Sequence, residues 1–251
     1  MSHHITEVKE LHYVYPDGLE ALSGVSFRIY HGESVGLVGA NGAGKSTLLM
    51  LLVGVLFPSK GEVMVGEMPV NKKTLPLIRQ RVGMVFQNPD DQLFMNTVYD
   101  DVAFGPRNYN LGEPEVEKRV IQSIEKVGIA HLKDRAPYKL SGGEKRSAAI
   151  ATILSMIPDI LAMDEPSSGL DPKSRRRLIN LLKGFSHTKI IASHDLDMVL
   201  ELCERTMVLK NGKLVADGPT AEILNDAVLL ENCGLEIPLG LQNCPVCGST
   251  K

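Results

Sequence analysis

From residue 5 to residue 30 apolar and polar residues alternate in two stretches split by Pro16-Asp17-Gly18, which predicts a β-rich opening folded back at a turn. Short apolar runs predict further strands at 34–38, near Val63, at 81–86, at 160–165 and at 188–193. Between Pro114 and Gly128 the period changes. Val116, Val120, Ile124 and Val127 recur at helix spacing, and Pro114 suits a helix start. From Asp159 onward strands and helices alternate as in a parallel α/β sheet. Asn211-Gly212, between TMVLK and KLVAD, predicts a two-residue hairpin. The longest apolar run, 48–57, is about half of the roughly 20 residues a bilayer-spanning helix needs, so it reads as a buried helix. No internal repeat or low-complexity linker interrupts the pattern.

Chemistry concentrates at the ends of these elements. After the 34–38 run comes GANGAGKST: Gly39, Ala40, Asn41, Gly42, Ala43, Gly44, Lys45, Ser46 and Thr47. The order of strand, loop and helix is the context a phosphate loop requires. Glycines let successive N–H groups and a helix N-terminus converge on one anion. Lys45 would neutralise the outer phosphates and the Ser46 hydroxyl would ligate Mg²⁺. The run ILAMDE ends in Asp164 and Glu165. A buried parallel strand there delivers Asp164 to the carboxyl edge of the sheet, as a Mg²⁺ partner. Glu165, one residue beyond, is the candidate general base for the attacking water. His194, at the end of the 188–193 run, would hydrogen-bond the terminal phosphate, and Gln87, after 81–86, would reach the metal or water.

The segment LSGGEKR, with Leu140, Ser141, Gly142 and Gly143, narrows the field. Phosphate loop, Gln87, LSGG, the Asp164-Glu165 pair, SGLD at Ser168 to Asp171, and His194 stand in the order found in ATP-binding-cassette (ABC) ATPases, which the chain resembles over about 5–226. The resemblance implies an α/β P-loop NTPase with a β-rich N-terminal subdomain and an inserted helical signature lobe at about 96–156. It implies ATP and Mg²⁺ as cofactors and two protomers packed head to tail, a homodimer being favoured. Each ATP would lie between one phosphate loop and the partner's Ser141, Gly142 and Gly143, and Asp171 would cross the interface. Tyr15, in YVYPDG, resembles the aromatic that stacks on adenine; Tyr13, two residues away, is the alternative, or packs as core. Glu144 stands where many relatives have Gln, and Ser167-Ser168 where Thr-Ser is frequent.

A finer resemblance lies in FQNPDDQLF and VAFGP, which look like the ATPases of energy-coupling-factor importers, the cobalt and nickel branch especially. It implies an integral membrane coupling subunit and a substrate-binding membrane subunit as partners, with Leu93, Phe94 and Met95 at the docking groove. Read without the resemblance, PDDQ is a solvated turn built on Asn88-Pro89-Asp90.

Composition changes this picture little. The 251 residues, 43% hydrophobic and 23% charged, are ordinary globular usage, and a net charge of −3 gives no reason to expect nucleic acid. Arg175, Arg176 and Arg177 lack aromatic company and read as a solvated helix face. Without an apolar leader the chain is expected at the cytoplasmic face of the membrane, held there by partners. The tail 227–251 carries Cys233 and a lone CxxC, Cys244 and Cys247; reduced thiols or half of a shared zinc site both remain open. Cys203 falls in a helical pattern and reads as core. Two other readings share the ATP chemistry: a soluble ABC ATPase of DNA repair or translation, and an importer subunit for a vitamin. A GTPase would want Asn-Lys-x-Asp, and Asn71-Lys72-Lys73-Thr74 lacks the Asp.

Overall fold

The computed structural model describes residues 4–242. Along the chain come β1 (His4–Val14), β2 (Glu20–Tyr30), β3 (Ser34–Val38), α1 (Lys45–Leu52), β4 (Lys60–Val65), β5 (Met68–Pro69) and α2 (Leu75–Arg81). Then follow β6 (Val82–Val85), α3 (Val98–Asn108), α4 (Glu113–Lys126), α5 (Gly142–Leu154), β7 (Ile160–Asp164) and α6 (Pro172–Lys183). The last described elements are β8 (Thr188–Ala192), α7 (Leu196–Leu202), β9 (Arg205–Lys210), β10 (Lys213–Pro219), α8 (Thr220–Asn225) and α9 (Ala227–Asn232). Two compact units result, one from residues up to Ile78 and from His187 onward, the other from Arg79 to Ser186.

In the first unit β1 pairs antiparallel with β2 and with β4, and β4 with β5. Alternation puts Val25, Phe27 and Ile29 of β2 and Val63 and Val65 of β4 inside, and a register shift between β1 and β2 lets Leu22 join them. A second sheet has β3 at its centre, parallel to both β8 and β9. Every residue of β3 and β8 is buried, so neither strand alternates: β3 reads as a short apolar run, and β8 becomes one from Ile190 after the buried Thr188 and Lys189. The β9–β10 hairpin turns at Asn211 (φ 48°) and Gly212 (φ 73°), both left-handed, as the Asn-Gly pair requires. One expectation fails here. The apolar run 48–57 is not one helix, because α1 stops at Leu52 and Gly54 adopts φ 66°. A Cβ on Gly54 would lie 2.1 Å from Leu75 Cδ2, so only glycine lets the chain turn there.

In the second unit β6 and β7 pair in parallel. Helices α3, α4 and α5 pack on one another, and α4 buries Val116, Val120 and Ile124 on its inner face, with Val127 at its cap. Helix α5 also packs closely on β6, where a Cβ on Gly83 would meet Ile153 Cγ2 at 2.2 Å. Ser155 Oγ donates to the Val102 carbonyl at 2.8 Å and ties the end of α5 to α3.

Candidate functional site

The phosphate loop spans Gly39 to Gly44 between β3 and α1. Gly42 (φ 78°) and Gly44 (φ 105°) hold left-handed backbone that other residues resist. A Cβ on Gly44 would lie 2.7 Å from the Ala21 carbonyl, whereas one on Gly42 would meet nothing within 4 Å, so one side of the loop is braced and the other open. Lys45, 6% exposed, folds its ammonium back onto the loop and donates to the carbonyls of Gly39 at 2.7 Å and Ala40 at 3.2 Å. A left-handed glycine cradle with a cation fixed at its rim, opening onto a helix N-terminus, fits a polyphosphate. Asn41 is exposed and Ser46 half-buried, both on the same loop and first helical turn. Tyr15, half-buried, shares a hydrogen bond of 2.9 Å between its hydroxyl and that of Thr47, while Tyr13 is buried edge-on against it at 4.9 Å. Tyr15 is thus the aromatic beside the loop and Tyr13 packs as core.

The hairpin turn supports this loop. Gly212 N–H donates to the Ala43 carbonyl at 3.1 Å, and its own carbonyl accepts from Ser23 N–H at 2.9 Å. Sequence reasoning saw the hairpin and missed the brace, because the contact joins residues far apart in the chain. His194 is exposed just past β8, and the neighbouring Ser193 N–H donates to the Leu37 carbonyl at 3.2 Å. Asp195 caps α7 by accepting from Met198 N–H.

In the second unit Asp164 ends β7 and Glu165 follows it, 3% and 5% exposed respectively. Glu165 has φ 47°, a left-handed conformation rare for a residue with a side chain. Gln87 lies past the end of β6 and is exposed. The main-chain carbonyls of Phe86 and Gln87 both accept from the guanidinium of Arg146, a residue of α5 that is 4% exposed. Burial pulls the Arg146 guanidinium below its ordinary value, while the charges of Asp164 and Glu165 act the other way. This clamp was not foreseen. Its signal was an arginine on an otherwise inward face beside Ala148 and Ala149.

The reading of PDDQ as a solvated turn is half right. Asn88 accepts from Asp90 N–H and caps a 3-10 turn at Pro89–Asp91. Gln92, however, donates to the Ala149 carbonyl and the Thr152 hydroxyl, each at 2.7 Å, and accepts from Phe86 N–H, so the loop is pinned to α5. Leu93 is 7% exposed and belongs to the core, contrary to its expected place at a docking groove. Phe94 is 63% exposed, edge-on to Phe104 with ring centroids 4.9 Å apart. Buried Asp101 holds it there by accepting from Phe94 and Met95 N–H, each at 3.0 Å; burial raises its carboxyl while those two bonds lower it.

Ser141 is the N-cap of α5 and forms a reciprocal capping box with Glu144. Gly142 and Gly143 open the helix. A cavity of about 490 Å³ lies on this face, lined among others by Ser141, Gly142, Gly143, Asp171 and Arg177. Arg177 is exposed, as a solvated helix face requires, and borders this cavity. Asp171 caps α6, accepting from the N–H groups of Lys173 and Ser174 and from the Ser174 hydroxyl, and the Ser174 bonds hold its carboxyl below the usual range. Cys203 and Cys233 are buried free thiols, whereas Cys244 and Cys247 lie outside the described residues.

A loop, signature and carboxylate set of this kind defines an ATP-hydrolysing cassette, and comparison with known proteins agrees. A family profile described as ABC transporter matches residues 22–168. The chain is 63% identical over 248 residues to a putative ABC transporter ATP-binding protein of Geobacter sulfurreducens, covering 99% of this chain and 100% of that one. It is 49% identical over 237 residues to the energy-coupling factor transporter ATP-binding protein EcfA of Methanothermobacter thermautotrophicus, covering 92% and 76%. Among solved structures, cbiO1 of Clostridium perfringens, part of the ABC transporter complex cbiONQ, is 40% identical with a TM-score of 0.79, covering 91% and 94%. The ATP-binding cassette MJ0796, solved as a dimer in a post-hydrolysis state with ADP and Pi, is 26% identical with a TM-score of 0.79, covering 86% and 98%.

The chain belongs to the ABC transporter family and has its P-loop ATPase fold. It is the ATP-binding, ATP-hydrolysing subunit of a transporter. Among the described residues no helix is long and apolar enough to cross a membrane.

Proposed function

We propose that this chain drives an importer of the energy-coupling-factor type, working as a head-to-tail dimer under an integral membrane coupling subunit and a substrate-binding membrane subunit, with cobalt or nickel ions as cargo. The observation that carries the reading is the likeness, over nine-tenths of the chain, to EcfA and to cbiO1. The cargo rests on the run FQNPDDQLF with VAFGP alone. Phe94, exposed and held by Asp101, gives the coupling subunit an apolar anchor.

Each residue takes the role its chemistry allows. Lys45 and the N–H groups of Gly42 to Thr47 bind the phosphates, and Tyr15 takes the adenine face. Ser46, Asp164 and Gln87 carry oxygen donors that suit a hard cation and would hold Mg²⁺, which would supply positive charge against the phosphates. Glu165 accepts the proton of the attacking water, His194 orients the terminal phosphate, and Ser141, Gly142 and Gly143 of the partner subunit close over it. The division at 5–226 and 227–251, with its helical lobe at 96–156, goes with this reading.

Affinity purification of the tagged chain from detergent-solubilised native membranes tests it. Recovery of a multi-helix coupling protein and a small membrane binder containing cobalt or nickel is the expected result. A binder holding a vitamin would overturn the cargo only, and ribosomal or DNA-repair proteins in place of membrane subunits would overturn the importer.

A further inference from the structure

Ser141 spends both of its donors on one oxygen. Its N–H and its hydroxyl each donate to Glu144 Oε2 at 2.8 Å, while Glu144 N–H returns a long bond of 3.4 Å to the Ser141 hydroxyl. Those two bonds from Ser141 hold the Glu144 carboxyl below its ordinary value, and the charges of Arg135 and His131 act in the same sense. Glu144 is therefore an ionised acceptor facing the cavity that Ser141, Gly142 and Gly143 also line.

A carboxylate and a phosphate are both acceptors, so they compete for the single hydroxyl proton of Ser141 and repel each other. A glutamine at the same position would cap the helix through its carbonyl oxygen but, being neutral, would hold the Ser141 hydroxyl less tightly, and it would offer N–H donors besides. We infer that Glu144 is a positioning residue that holds the signature in a self-capped state, so that the terminal phosphate on the partner subunit closes the dimer only by taking the Ser141 hydroxyl from it. The inference rests on the head-to-tail reading above. Its consequence is a cassette that needs more ATP to pair than the same chain with Gln at this position.

The test uses the full chain carrying Glu165→Gln, which slows hydrolysis, with and without Glu144→Gln or Glu144→Asp. Sedimentation gives the ATP concentration at half-dimerisation. Glu144→Gln should lower it about three- to tenfold, the worth of one unit charge removed roughly 6 Å from a phosphate in a solvent-rich dielectric. Glu144→Asp keeps the charge and should leave the midpoint at or above its starting value. The advantage of Gln should shrink as salt is raised from about 50 to about 500 mM, because screening weakens a repulsion but not a packing effect. A Gln variant with an unchanged or higher midpoint overturns the inference, as does an advantage independent of salt. Absence of pairing in every variant at saturating ATP would overturn the head-to-tail reading, and the inference with it.

Discussion

The guanidinium of Arg146 donates to the main-chain carbonyls of Phe86, at 2.7 Å, and of Gln87, so the helix that begins at the signature grips the loop that carries Gln87. Arginine's planar fork suits two adjacent carbonyls, whereas a lysine ammonium is a point charge. The grip connects the signature helix to a loop with a proposed place on the metal, and it does so through backbone, which side-chain substitution at position 87 would leave intact. Arg146→Lys should retain ATP binding while lowering kcat by about tenfold or more, the scale of a slightly misplaced group. Arg146→Met abandons both carbonyls and should cost about 2–4 kcal/mol of stability. ATPase kinetics with thermal melts of both variants would check this; a Lys variant with wild-type kcat would show the grip to be dispensable.

Glu165→Gln should cut turnover on the order of 10²- to 10⁴-fold, the range for a lost general base, with ATP still bound. The amide is close in shape, so the left-handed backbone at this position is kept. Normal turnover would move the base elsewhere. Lys45→Ala, by contrast, should weaken nucleotide binding itself in a direct titration.

The hairpin brace predicts an effect from outside the nucleotide site. Gly212 combines φ 73° with a virtual Cβ only 2.6 Å from the Ala21 carbonyl. Gly212→Ala should cost about 2–4 kcal/mol and raise the KM for ATP through the lost support at Ala43. A melt and a KM matching wild type would mean that the turn moves independently of the loop.

Burial pushes the Cys203 thiol up to about 12 from its ordinary 9. Above pH 9 the unfolded chain loses this proton while the folded chain keeps it. Stability should therefore fall as pH rises from 9 toward 12, by about 1.4 kcal/mol per pH unit from this group. The difference in denaturation free energy between wild type and Cys203→Ala isolates it. A difference independent of pH between 8 and 10.5 would contradict the buried thiol.

Phe94→Asp should leave the ATPase of the isolated chain within about twofold, as exposed positions usually do. Recovery of membrane subunits with the chain should drop by about tenfold or more, as for a lost interface anchor. Undiminished recovery would remove Phe94 from the docking surface.

Much of this protein is determined by sequence alone, for local reasons. The phosphate loop follows from glycines that permit left-handed backbone, the Asn211-Gly212 turn from the same property, and α4 from apolar spacing at the helical period. Buried parallel strands β3 and β7 announce themselves as short apolar runs because both faces are covered, whereas β8 shows only Ile190 to Ala192 and buries Thr188 and Lys189 besides. Tertiary structure alone decided which of two aromatics packs as core, placing Tyr13 inside and the hydroxyl of Tyr15 on Thr47. It also removed Leu93 from the surface, ended α1 at Leu52, and tied Arg146, Gln92 and Gly212 to main-chain carbonyls distant in sequence. Periodicity reports how one segment meets its surroundings on average, whereas a side chain donating to a carbonyl some 60 residues away depends on close packing that no single segment encodes.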